Sequence, residues 1–202
     1  TGSSEDSAKE LYQRIRKENA TQAFVVIPDG MSPKLNQLRL LFGTDIQVFV
    51  HDDIIWEHVY DTFKTYLEKL ASDLPSVACY IPPRPKNDAY GQVDQLAVQH
   101  LAQREKQPQH EIMAVLASAG IGKTTLAREV ARQLAQSASV NRIIPVYVEA
   151  AHWAQIAHDL DDFWSVIGNS LHKFDPSLPL SERLFRHLLA NGDVAFIFDG
   201  FD

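Results

Sequence analysis

The chain has 202 residues, of which 45% are hydrophobic and 22% charged, and carries a formal net charge of −7; these are ordinary values for a soluble globular protein of one large or two small domains. No stretch is strongly basic, so bulk charge gives no support for nonspecific nucleic-acid binding and leaves a local patch as the route to such a partner. Cys79 is the only cysteine, which excludes an internal disulfide and fits a reducing compartment. No apolar run reaches about 18 residues, and residues 1–10 lack the apolar core of a signal peptide, so no membrane span is predicted and a cytoplasmic location is expected.

Residues 1–8 read as a polar, disordered start, and Lys9 to Asn19 as a helix with Leu11 and Ile15 inward. Ala23 to Ile27 is a short apolar strand closed by the turn cluster Pro28-Asp29-Gly30. Ser32 and Pro33 then open a helix whose Leu35, Leu38, Leu41 and Phe42 share one face, with Gly43 as its stop. Ile46 to Val50 is a second strand. Asp52 or Asp53 caps a longer helix that reaches Leu70, with Ile55, Val59, Phe63, Tyr66, Leu67 and Leu70 inward. The order β-α-β-α is that of a parallel α/β sheet, so residues 1–74 are expected to form a small α/β module.

Residues 75–110 read as a linker with a helix. The prolines at 75, 82, 83 and 85 favour extended backbone, and Val93 to Gln103 has a helical pattern. Residues 111–202 are expected to form a second α/β core. Its first strand is predicted to start near Ile112, followed by a helix from Lys123 to about Ser137. A buried strand over Ile143 to Val148 follows, with Pro145 at a position whose N–H is not needed by the ladder. Helices near Asp161–Phe174 and Ser181–Leu189 precede a last strand, Val194 to Phe198. That uninterrupted apolar run suits a strand buried on both faces.

The chemistry concentrates at two places in this second core. Ala117-Ser118-Ala119-Gly120-Ile121-Gly122-Lys123-Thr124-Thr125 lies between a strand pattern and a helix pattern and reads as a phosphate-binding loop of the Walker A kind. Backbone N–H groups and a helix start favour a bound anion. Lys123 is placed to reach the β- and γ-phosphates, and the Thr124 hydroxyl to hold Mg²⁺. The first position of the motif is Ala117 where Gly is usual; the tight turn lies nearer Gly122. The second place is Asp199, at the carboxyl end of the last strand, where ligands of parallel sheets bind. An acid there reads as a Walker B carboxylate, holding Mg²⁺ directly or through water. His51, Asp52 and Asp53 form an acidic cluster better explained by helix capping than by metal binding.

Four stretches together resemble the NACHT class of signal-transduction P-loop NTPases, the STAND group. They are Tyr80-Ile81-Pro82-Pro83, the run Ala119 to Leu126, the strand Ile144-Pro145-Val146-Tyr147-Val148-Glu149, and Phe198-Asp199-Gly200-Phe201-Asp202. The resemblance spans roughly residues 78–202. It implies a parallel-sheet core truncated after its Walker B strand, with the nucleotide lid, a sensor arginine and any sensor domain outside this chain. It also implies ATP-Mg binding, slow hydrolysis, and a cytoplasmic switch that forms a homo-oligomer when activated, often in immune or antiphage defence. By the same resemblance Thr125 and Gly120 to Gly122 contact the phosphates, Asp202 orients the hydrolytic water, and Tyr80 and Ile81 flank the adenine. The residues do not discriminate ATP from GTP. The first module more faintly resembles the end of restriction-endonuclease-like, Mrr-type domains, through Val25 to Pro33 and Ile46 to Asp53, but carries no Asp…Glu-x-Lys pair. An AAA+-like ATPase, a kinase, or an effector scaffold with structurally held nucleotide are the alternative readings.

Overall fold

The computed structural model describes residues 10, 13–14, 17, 23–27, 35–42, 46–74, 81, 92–102, 112–150 and 163–200. The elements run β1 (Ala23–Ile27), α1 (Leu35–Phe42), β2 (Ile46–Val50), α2 (His51–Asp73), α3 (Val93–Ala102), α4 (Lys123–Asn141), β3 (Ile144–Glu149), α5 (Phe163–His172), α6 (Glu182–Ala190) and β4 (Val194–Asp199). The protein is α/β, and among the described residues the strands form two parallel pairs, β1 with β2 and β3 with β4. The chain divides into two compact units, Thr1–Val59 and Tyr60–Asp202. The division falls inside α2, upstream of the Leu74-Pro75 step where the sequence changes character.

In the first unit, β1 and β2 pair from Ala23↔Ile46 to Ile27↔Val50, joined through α1. Strand side chains alternate between faces, so Val25, Ile27, Ile46, Val48 and Val50 are buried. The opposite face carries the exposed Phe24 and Val26, with Phe24 stacked on Phe49 at 6.1 Å. Helix α2 starts at His51, so Asp52 and Asp53 lie in its first turn and not at the cap expected from sequence; negative charge there favours the helix dipole.

In the second unit, β3 is buried along almost its whole length, as a strand covered on both faces should be, and α4 and α5 pack against it. Strand β4 departs from that expectation. Ala195 and Ile197 are buried, but Val194, Phe196 and Phe198 are more open, so β4 alternates. On its more open side Phe196 joins Phe163, Phe185 and Phe198 in an aromatic cluster, with centroids 5.8 to 6.5 Å apart. Helix α4 runs on to Asn141, and Arg142 closes it in a left-handed conformation, its N–H donating to Ala138. Ser181 caps α6 by accepting the Leu184 N–H.

A further expectation is overturned. The run Ile112 to Leu116, expected as the first strand of this core, is irregular, and Ile112 and Leu116 are each 92% exposed. Apolar content records a preference for burial; a strand also needs a ladder partner, and among the described residues neither β3 nor β4 pairs with this run.

The edge of β3 away from β4 is closed by a side chain. The Ile144 N–H donates to the Asp193 carbonyl at 2.7 Å, so residue 144 faces β4 and, by alternation, Pro145 faces outward. The N–H that proline lacks is therefore one that β4 does not need. On that outer edge the Tyr66 hydroxyl, from α2, donates to the Pro145 carbonyl at 2.8 Å and accepts from the Tyr147 backbone N–H. It occupies the two positions that a neighbouring parallel strand would use. Burial pushes the phenol pKa up, so it stays a donor, and the Tyr147 bond offsets this only in part. Tyr66→Phe leaves a buried carbonyl and a buried N–H unpaired. We expect a loss of about 1–3 kcal/mol in urea-unfolding free energy; unchanged stability would show that the edge is satisfied otherwise.

Candidate functional site

The loop from Ala117 to Thr125 ends in α4. Two of its glycines are left-handed, Gly120 at φ +79° and Gly122 at φ +97°, and Gly122 is the N-cap of the helix. A Cβ on Gly120 would meet nothing within 4 Å, and one on Gly122 only Thr125 atoms at 4.0 Å. Glycine is required here by backbone conformation, not by crowding. The first intrahelical bond, Leu126 N–H to Gly122 carbonyl, forms at 2.9 Å. The first turn of any helix has backbone N–H groups without intrahelical partners, and turns that alternate in handedness make anion-sized concavities. The Lys123 Nζ folds back across the loop and donates to the Ala117 carbonyl at 2.9 Å and the Ser118 carbonyl at 3.5 Å.

Asp199 is the last residue of β4 and pairs in register with Glu149, the last residue of β3. Its carboxylate is buried and held on both oxygens. The Thr124 hydroxyl donates to Oδ1 at 2.9 Å, and the Tyr147 hydroxyl to Oδ2 at 2.6 Å. A buried carboxylate is tolerable only with such donors. Arg128, one turn after Thr124, donates from Nε to the Tyr147 oxygen at 3.4 Å and lies 4.0 Å from Glu149. Lys173 pairs with Glu149 at 2.8 Å. Burial, reinforced by the hydrogen bond to Asp199 and opposed by Arg128, raises the Tyr147 pKa, so the phenol remains protonated and donating. The bond to Tyr147 also raises the pKa of Arg128, which stays cationic.

Of the residues singled out from sequence, Thr124 and Asp199 are in direct contact, with Lys123 and the loop Ala117 to Thr125 alongside in the chain. Ile81 is 86% exposed. Tyr80 and Asp202 lie outside the described residues. His51, Asp52 and Asp53 open α2, with His51 Nδ1 3.7 Å from Asp52. Sequence reasoning passed over Tyr147, Arg128 and Glu149 as parts of the site. Their signals were present: Arg128 is four residues beyond Thr124 on the same helix face, and Tyr147 and Glu149 share one side of β3 at its carboxyl end.

Among the described residues no group of three or more His, Cys, Asp or Glu side chains could hold a metal alone. A hydroxyl beside a carboxylate nevertheless suits Mg²⁺, a hard cation that keeps several waters and takes one or two protein oxygens plus substrate phosphate. No helix among the described residues is long and apolar enough to cross a membrane. Compared with protein-family models, curated proteins and solved structures, the chain matches none. Function is therefore read from the site itself.

Proposed function

We propose that the chain is the nucleotide-binding part of a signalling P-loop NTPase of the NACHT type, which binds ATP-Mg²⁺ and switches between assembly states. The observation that carries this reading is the 2.9 Å bond between Thr124, at the start of a helix entered through two left-handed glycines, and Asp199, at the carboxyl end of a parallel strand. In this reading the phosphates rest on the backbone of Gly120 to Thr125, and the Lys123 ammonium moves from the loop carbonyls to the β- and γ-phosphates. Thr124 and Asp199 would hold Mg²⁺, which would supply charge neutralisation at the phosphates. Asp202, three residues beyond Asp199, orients water, and Tyr80 and Ile81 border the base. ATP is the expected nucleotide, with GTP the alternative. The switch works in the cytoplasm, assembles as a homo-oligomer, and serves a defence pathway.

The test is Mg²⁺-dependent binding of ATP and of GTP to the intact protein, with particle mass followed by light scattering. The reading expects micromolar-range binding that requires Mg²⁺, and a mass that rises with the triphosphate. Absence of nucleotide binding with Mg²⁺ present would overturn it.

A further inference from the structure

We propose that Tyr147 is a positioning residue that fixes the orientation of the Asp199 carboxylate and so sets how tightly the site holds Mg²⁺. The inference rests on the nucleotide-binding reading above and extends it to a residue that neither the loop nor the acid-ended strand predicts.

The terminal torsion of an aspartate is soft, with a broad range of nearly equal angles. A single donor on one oxygen leaves that torsion free to swing. In this protein both oxygens are engaged, Oδ1 by Thr124 and Oδ2 by Tyr147, so the carboxylate plane is defined from two sides. Tyr147 is suited to the task because close packing surrounds its side chain. It is almost fully buried in β3, in register with Ile197, two positions before Asp199 on the neighbouring strand.

Arg128 gives this bond its direction. A guanidinium can only donate. Its Nε donates to the Tyr147 oxygen at 3.4 Å, so the phenol accepts there and directs its own proton to Asp199. Arg128 is in turn 4.0 Å from Glu149, which Lys173 holds at 2.8 Å. The circuit Thr124–Asp199–Tyr147–Arg128 ties two successive turns of α4 to both strands of the sheet. Mg²⁺ demands near-ideal octahedral geometry, so a carboxylate held in one plane binds it better than one that rotates.

The experiment is a MgCl₂ titration of ATP binding to the intact protein, comparing wild type with Tyr147→Phe, which deletes only the hydroxyl. ATP affinity in EDTA and the thermal midpoint are recorded for each. We expect Tyr147→Phe to need about tenfold more Mg²⁺ for half-maximal binding, with ATP affinity in EDTA unchanged. Adding Tyr147→Phe to Asp199→Asn should cost little more than Asp199→Asn alone, because the tyrosine acts through that carboxylate. Arg128→Gln, at a partly exposed position, provides a second variant should Tyr147→Phe fold poorly, and should shift the Mg²⁺ requirement the same way by a smaller factor. An unchanged Mg²⁺ requirement in a folded Tyr147→Phe protein, or full additivity with Asp199→Asn, overturns the proposal while leaving nucleotide binding intact. Wild-type protein that binds no ATP with Mg²⁺ overturns both readings together.

Discussion

Lys123→Ala is expected to weaken ATP-Mg²⁺ binding by roughly tenfold to a hundredfold, the equivalent of about 1.5–3 kcal/mol for a charge-assisted hydrogen bond to phosphate. The ammonium is a compact charge on a flexible stem. In this structure it lies across the loop, on the Ala117 and Ser118 carbonyls, so it starts within the site it would serve. Those contacts are on a largely exposed loop, and their loss should leave the fold in place. The check is an equilibrium titration with a fluorescent ATP analogue, together with a thermal melt of the same preparation. Weakened binding at an unchanged melting temperature supports the phosphate role. Equal affinity in wild type and variant would remove the basis for treating the loop as a nucleotide site. Lys123→Arg should restore only part of the affinity, because a planar fork does not replace a point charge in a loop this tight.

Phe185→Ala carries the largest expected effect on stability, about 3–5 kcal/mol for truncating a buried phenylalanine. Phe185 is 1% exposed on α6. It meets Trp164 of α5 edge-on at 5.9 Å and Phe196 of β4 at 6.5 Å. Removing the ring opens a cavity where a helix, a second helix and the strand that ends in Asp199 come together. Whole domains are stable by only about 5–15 kcal/mol, so the variant should lose a large share of its stability and melt far below wild type by circular dichroism. A loss under 1 kcal/mol would show that the neighbouring aromatic rings collapse into the space. Because β4 carries Asp199, partial unfolding here should also abolish any Mg²⁺-dependent binding, unlike Lys123→Ala, which should leave the fold untouched.

Much of the local structure was legible from residue order. Short apolar runs and helical spacings placed β1, α1, β2, α2 and α3 within a few residues, and Ser181 was visible as a helix start. The loop glycines and the neighbouring Lys and Thr could be read from spacing alone, because their chemical demands are local. The prediction that failed was the strand over Ile112 to Leu116. Its hydrophobicity is real, but strand formation is a property of two segments, and nothing in five apolar residues states which edge they join. The full burial expected for β4 fell short for a related reason. Val194 to Phe198 is apolar throughout, yet Phe198 is 41% exposed, since covering both faces depends on what packs there.

The sequence by itself determined which groups could do chemistry: a glycine loop with Lys123 and Thr124, and an acid closing an apolar strand. It also determined that Pro145 must face away from a ladder partner, since proline has no N–H to give. Only the tertiary structure decided what those groups touch. It brought Thr124 to 2.9 Å from Asp199, 75 residues later in the chain. It set Tyr147 on the other carboxylate oxygen, and gave the outer edge of β3 to the hydroxyl of Tyr66, 79 residues before Pro145. Propensity and capping act over a few residues and are written in neighbouring letters. A hydrogen bond across such separations exists only once helices and strands have packed, because packing supplies the distance and the burial that make it worth forming.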